Sequence, residues 1–347
     1  MIHYLLIWSA LIYYDMRNLI PIWFIFLMHS VSLQGQAPPP PRHFLEPADT
    51  LDKARFRICL ASGAALYAGA SYGLYHLWYK NYDLIGFHTF NDMREWNQMD
   101  KFGHILTAYN ESSIAYYWAR WTGLDRTRSM VMAAGIGTLL QGTVEVMDGF
   151  SEKWGFSWGD IAANSLGVGF FIGQELAWRD QRILMKVSST RPDYPDISVP
   201  ANDGGPPMSL KLRAEELFGS PFSESFLKDY NGQVIWVSAN LSAFSGQHRP
   251  GWLPRWLNLA AGYGAENMFG GFDNTWEGEN GNTYTLDAEA FPRYRQFYLS
   301  FDVDLRRIPA HKRGLRLLFG ALNWIKIPAP TLEVNTNGGV KFYPLYW

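Results

Sequence analysis

The sequence predicts an α+β protein: an antiparallel four-helix domain followed by a small antiparallel β-rich C-terminal domain. Two observations predict it. Residues 50–187 hold four apolar runs of helical length. Beyond residue 209 the pattern changes to strict alternation, the period of a strand. Between them Ser188 to Met208 is rich in Pro, Gly and Asp and reads as a linker. The expected organisation is therefore an upstream extension and signal peptide at 1–37, a helical domain at 50–187, a linker at 188–209 and a β-rich domain at 210–347.

The first helix is expected over Phe56 to Tyr79, 24 residues with Arg57 as the only charge. That length suffices to span a bilayer. Gly69 and Gly73 give it a small-xxx-small face, which predicts close helix packing. The second helix runs from Met99 to Trp121 and is made less membrane-like by Asn110 and Glu111. The third, Arg126 to Met147, carries Gln141 and Glu145 as its strongly polar interior groups. The fourth starts near Ser157, ends near Arg179 and repeats the glycine spacing at Gly169 and Gly173.

In the C-terminal half Phe297, Leu299, Phe301, Val303 and Leu305 alternate with polar residues, as a half-buried strand does. Ile235, Val237, Ala239, Leu241 and Ala243 give a second strand. Leu257 to Tyr263 and Thr331 to Val334 are weaker candidates, and Gly314 to Ile325 reads as a helix. The aromatic end of the chain resembles the last strand of an outer-membrane barrel. A barrel needs at least about eight strands, and Pro344 interrupts the last one. A small sheet packed on the helices is the favoured reading.

Composition narrows the function classes. The net charge of −2 argues against nucleic acid as a partner, because phosphate binding needs a basic surface. The single cysteine, Cys59, excludes an internal disulfide and a cysteine-based zinc cage. Met16-Arg17-Asn18 followed by Leu19 to Leu33 reads as a signal peptide, with Gly35-Gln36-Ala37 at a loose cleavage site. The rival reading makes residues 1–33 one or two membrane anchors. No cysteine lies near the cleavage region, so lipid attachment there is not expected. Arg55, Arg57, Arg120, Arg126, Arg128, Arg179 and Arg182 fall at one end of an up-down bundle, and Asp83, Asp92, Asp100, Glu145, Asp148, Glu152 and Asp160 at the other. In a multi-pass inner-membrane protein the arginine end would be cytoplasmic. A cleaved signal peptide conflicts with that, and a bundle resting on the membrane in the periplasm resolves the conflict.

The acidic end carries the candidate site. Asp100 and His104 are four residues apart and Glu145 and Asp148 three apart, so each pair shares a helix face. Ser157 and Asp160 open the next helix. If the helices run antiparallel, all six meet at one end of the bundle, and clustered titratable groups suggest a site. Asp100, His104, Glu145, Asp148 and Asp160 could ligate a divalent metal. Asp100 could instead orient His104 as a general base. Ser157 as a nucleophile is a third option, without a G-x-S-x-G elbow. Against these stands a capping network. Ser157-Trp158-Gly159-Asp160 has the form of a capping box. Asp148-Gly149 reads as a helix end with glycine in the left-handed region, and Asp100 favours the helix dipole. Lys101 and Asn164 belong to the same network. His76 and His88 are the other histidines expected near this end.

Asp100-Lys101-Phe102-Gly103-His104, Glu145-Val146-Met147-Asp148 and Gly155-Phe156-Ser157-Trp158-Gly159-Asp160 together resemble the YfiM-like family of periplasmic lipoproteins, a domain of unknown function. Asp160, Asn164 and Gly167 are also similar to the end of the VanZ-like membrane family. The resemblance covers about residues 95–180. It implies a cell-envelope location. With the signal-like start, the apolar helices and the aromatic-rich C-terminal half, the expectation is a protein on the periplasmic side, associated with the outer membrane, in a structural or ligand-binding role. Its expected partners are membrane lipids or another envelope protein. The alternative is a metal-assisted hydrolase acting on a lipid or glycan headgroup.

Overall fold

The computed structural model describes residues 44–245, 250–278 and 281–347. The signal-like segment and the proline-rich spacer lie outside the described residues. The expected class holds: helices first, then an antiparallel sheet.

The four long helices are α1 (Lys53–Leu74), α2 (Met99–Trp121), α3 (Arg126–Gly149) and α4 (Trp158–Trp178). Side-chain caps explain three of their starts. Asp52 accepts from the backbone of Ala54 and Arg55, Asp125 from Arg128, and Ser157 from Asp160. A wide turn, Tyr75–Tyr79, extends α1. Among the described residues α3 alone is long and apolar enough to cross a membrane.

Close helix packing occurs at other glycines than expected. A Cβ at Gly69, Gly73, Gly169 or Gly173 would meet nothing within 4 Å. Gly69 and Gly73 face open space because α1 buries only Arg55 and Cys59 among its residues, and Gly169 and Gly173 lie on an open side of α4. The close approach is at Gly167, where a Cβ would lie 2.4 Å from the Ile105 carbonyl oxygen, so α4 seats directly on α2. Gly149 also differs from expectation. It is absent from the positive-φ residues and ends α3 within the helix. Glycine is needed there because a Cβ would lie 2.3 Å from the Phe87 ring.

Residues 183–189, read as helix tail and linker, form a strand instead: β1 (Ile183–Ser189). It joins β4 (Gln233–Asn240), β5 (Leu257–Glu266), β8 (Tyr294–Val303), β9 (Ala329–Asn335) and β10 (Val340–Tyr346) in one antiparallel sheet, in the order β1-β4-β5-β8-β9-β10. β2 (Ser198–Val199) pairs with β3 (Met208–Ser209), and β6 (Thr275–Glu277) with β7 (Thr283–Thr285). Short helices α5 (Leu210–Phe218) and α6 (Phe222–Lys228) precede β4, and α7 (Arg313–Leu322) lies between β8 and β9. The strand expected to reach Ala243 stops at Asn240, whose side chain caps a helical turn by accepting from the Ala243 backbone. Pro344 lies within β10 at a register shift between Tyr343 and Tyr346, on an edge strand where proline is tolerated.

The sheet is inverted relative to a water-soluble one. Its buried face carries Lys186, Ser238, Asn258, Ser300, Asp302, Thr331 and Glu333 beside one apolar cluster of Val234, Trp236, Ala260 and Tyr298. Lys186 Nζ lies 2.9 Å from Asp302, which also accepts from Ser238 Oγ at 2.6 Å. The opposite face is apolar along cross-strand rows. One row is Val237, Ala261, Leu299, Leu332 and Phe342. The helices cover the β1–β4–β5 end of this face, through a core of Met99, Leu106, Phe171, Met185, Val187, Ile235 and Ala265, with Phe102 on Tyr263. Leu299 and Phe342 stay 50% and 66% exposed.

α2 is entered through a left-handed turn of three non-glycine residues, Trp96, Asn97 and Gln98, with φ of 48°, 49° and 65°. The Trp96 N–H donates to Gly271 O at 2.7 Å, Arg295 donates to Gln98 Oε1 at 2.8 Å, and the Tyr263 hydroxyl donates to Asn97 O.

Candidate functional site

Antiparallel packing brings the start of α2, the end of α3 and the start of α4 to one place. Lys101 sits at its centre. Its Nζ lies 2.6 Å from Asp160 Oδ1, 2.7 Å from Asp92 Oδ1 and 2.9 Å from Asp100 Oδ2. Three N–H donors thus meet three carboxylates, which is what a buried ammonium needs. Burial disfavours the charged lysine, but Asp100, Asp160 and Asp92 outweigh it and hold its pKa above the ordinary value.

His104 lies one turn beyond Asp100. Its Nδ1 is 3.0 Å from Asn164 Oδ1 on α4, so Asn164 orients the ring. Its Nε2 is 3.5 Å from Asp160 Oδ1 and 3.8 Å from Asp100 Oδ1. Neither is a hydrogen bond, so Asp100 does not orient His104. Asp100 accepts instead from the Tyr230 hydroxyl at 2.9 Å and from Lys101. Burial works against the charged imidazole, but Asp100, Asp160 and Glu145 raise the His104 pKa.

The capping network is present with its partners exchanged. Ser157 Oγ accepts from the Asp160 N–H at 3.1 Å, as a capping box requires. The reciprocal bond comes from another helix: the Ser157 N–H donates to Glu145 Oε2 at 3.2 Å. The Ser157 hydroxyl proton goes to Asp92 at 2.6 Å and not to His104. Glu145 is fully buried, and its Oε1 has no donor. That oxygen is 3.8 Å from His104 Nδ1.

Asp148 is held by a different partner. Its Oδ1 accepts from the Tyr79 hydroxyl at 2.6 Å. His88 Nε2 pairs with the Trp154 carbonyl, and His76 packs on Tyr72. Asp92, Tyr79 and Tyr230 were not read as site residues. Asp92 precedes α2 with no helical spacing to mark it, and Tyr230 meets Asp100 across 130 residues of sequence.

The acidic surplus holds protons. Burial, then the negative charge of Asp100, pushes Asp160 up to about 8. Burial likewise pushes Asp148 up to about 7, against the Tyr79 hydrogen bond. Both values lie above the unfolded carboxylate value of about 4. The native chain therefore binds more protons than the unfolded one between about pH 4 and 8, and stability falls as pH rises through that window. Asp148→Asn removes one of these titrations, and its loss of stability from pH 5 to pH 8 should be shallower than wild type. Urea unfolding at the two pH values checks this, and an unchanged difference would count against it.

A family model described as Predicted periplasmic lipoprotein (DUF2279) matches residues 89–172, about a quarter of the chain. The matched range contains Asp92, Asp100, Lys101, His104, Glu145, Asp148, Ser157, Asp160 and Asn164. Tyr79 and Tyr230 come from outside it. No curated protein and no solved structure matches the chain.

Proposed function

We propose that this chain is a bacterial cell-envelope protein of the YfiM-like kind, on the periplasmic side and associated with the outer membrane. In this reading it holds its outward apolar face against lipid and has a structural or ligand-binding role. The inverted sheet carries the reading. A sheet whose buried face holds Lys186, Asp302 and Glu333 while Phe297, Leu299, Phe301 and Phe342 stay exposed is unfavourable in water and favourable in hydrocarbon.

α7 supports it. None of its residues is buried. Leu315, Leu318, Phe319 and Leu322 share one side, with Arg313 and Arg316 opposite, the form of a helix lying in a membrane interface. The exposed apolar residues of the bundle, among them Leu66, Val131, Leu166 and Leu176, extend the same surface.

Density-gradient separation of cell membranes tests the proposal. The chain is expected in the outer-membrane fraction and should resist extraction by alkaline carbonate. Recovery in the soluble periplasmic or cytosolic fraction would remove it. Release by carbonate together with a second envelope protein would replace lipid with that partner.

A further inference from the structure

We infer that Asp100, His104 and Asp160 form a binding site for one divalent transition-metal ion of the zinc or manganese kind. Each offers one ligand atom, and the three atoms lie within 4.8 Å of one another. The spacing decides between a hydrogen-bonded cluster and an ion site. His104 Nε2 stands 3.5 Å from Asp160 Oδ1 and 3.8 Å from Asp100 Oδ1. Both distances are too long for hydrogen bonds. Two ligands each about 2.1 Å from a shared tetrahedral ion are about 3.4 Å apart.

The ring is set for this role. In the neutral tautomer that gives its Nδ1–H to Asn164 Oδ1, the Nε2 lone pair faces the two carboxylates, and an ion there takes the place of the Nε2 proton. A metal-binding histidine characteristically gives its other N–H to such an orienting acceptor. The carboxylates are fixed in turn, Asp100 by Tyr230 and Lys101, and Asp160 by Lys101.

The charge balance points the same way. Asp92, Asp100 and Asp160 share one permanent cation, Lys101, and Glu145 lies beside His104. Glu145 is 0% exposed, and its donorless Oε1 is aimed at the edge of the same imidazole. A buried carboxylate oxygen without a donor is costly. A dication between Nε2 and the two aspartates offsets that surplus in place of bound protons. One imidazole with carboxylate oxygens suits zinc or manganese and not a soft copper(I) site. Lys101 holds Asp100 through its far oxygen, Oδ2, and shares Asp160 Oδ1 with the ion.

The test uses untagged full-length protein in detergent, stripped with a chelator and dialysed against Zn²⁺ or Mn²⁺. Bound metal is read by elemental mass spectrometry. About one ion per chain should be retained, with a raised melting midpoint. His104→Gln and Asp160→Asn should each weaken binding at least about 10-fold, and Asn164→Ala by about 10- to 100-fold. Asp148→Asn, whose carboxylate serves Tyr79, should bind as wild type. Cobalt(II) loaded into the wild-type protein should give visible ligand-field bands that are lost on adding zinc. No retained ion and no cobalt bands in the wild type would overturn the inference. So would His104→Gln binding with wild-type affinity. Neither result depends on whether the chain sits on a membrane.

Discussion

Lys101→Met is expected to destabilise the protein by about 3–5 kcal/mol, the cost of leaving buried charge without its partner. Methionine fills nearly the same volume, so the loss would come from the ammonium and not from a cavity. Asp92, Asp100 and Asp160 would then face one another with Lys101 gone. These three carboxylates lie on three separate segments, so their repulsion would part α2 from α4 and from the chain before α2. Urea unfolding in detergent should show a lower midpoint at an unchanged slope. Adding Asp160→Asn to Lys101→Met should recover part of the loss, because the two sites are in contact and their effects do not add. A cost below about 1 kcal/mol would mean that the cluster is solvated and that Lys101 is an ordinary surface pair.

Leu299→Arg is the second large effect, and its sign depends on what lies outside the sheet. Leu299 is in the middle of its row, between Ala261 and Leu332, with its side chain half exposed. Facing water, an arginine there would change stability by no more than about 0.5 kcal/mol. Facing hydrocarbon near the bilayer midplane, it costs about 2–4 kcal/mol. Flotation with lipid vesicles separates the cases. The variant should float less than wild type, while Lys341→Ala, on the edge strand β10 and opposite Glu333, should float as wild type. Equal flotation of Leu299→Arg would show that this face does not contact lipid.

Much of the helical half was legible because its signals are local. Ser157 marks a helix start, and apolar runs fix the lengths of α2, α3 and α4. β8 announced itself by alternation. Alternation has two faces and does not say which is inside, so the burial of Ser300 and Asp302 in place of Leu299 and Phe301 was hidden. β1 was missed because ILMKVSS is short, follows a helix and carries no turn signal before it. At the site, helical spacing paired Asp100 with His104, the antiparallel arrangement added Asp160, and the fold places their ligand atoms within 4.8 Å of one another. The same spacing paired Glu145 with Asp148, which share a helix end but serve different partners, Ser157 and Tyr79. Contacts from Asp92 and Tyr230 depend on tertiary structure alone.

The left-handed turn before α2 bears on how separable the two halves are. Each non-glycine residue in that region costs about 1–2 kcal/mol, so Trp96, Asn97 and Gln98 keep it only while something holds them. Gly271, Tyr263 and Arg295 hold them, and all three belong to the C-terminal half. A chain cut after residue 182 would retain every residue from 89 to 172 and still lose the clamp that aims Asp100. The segment shared with other proteins is therefore not a transplantable module in this chain, and grafting it elsewhere would carry the side chains without their arrangement.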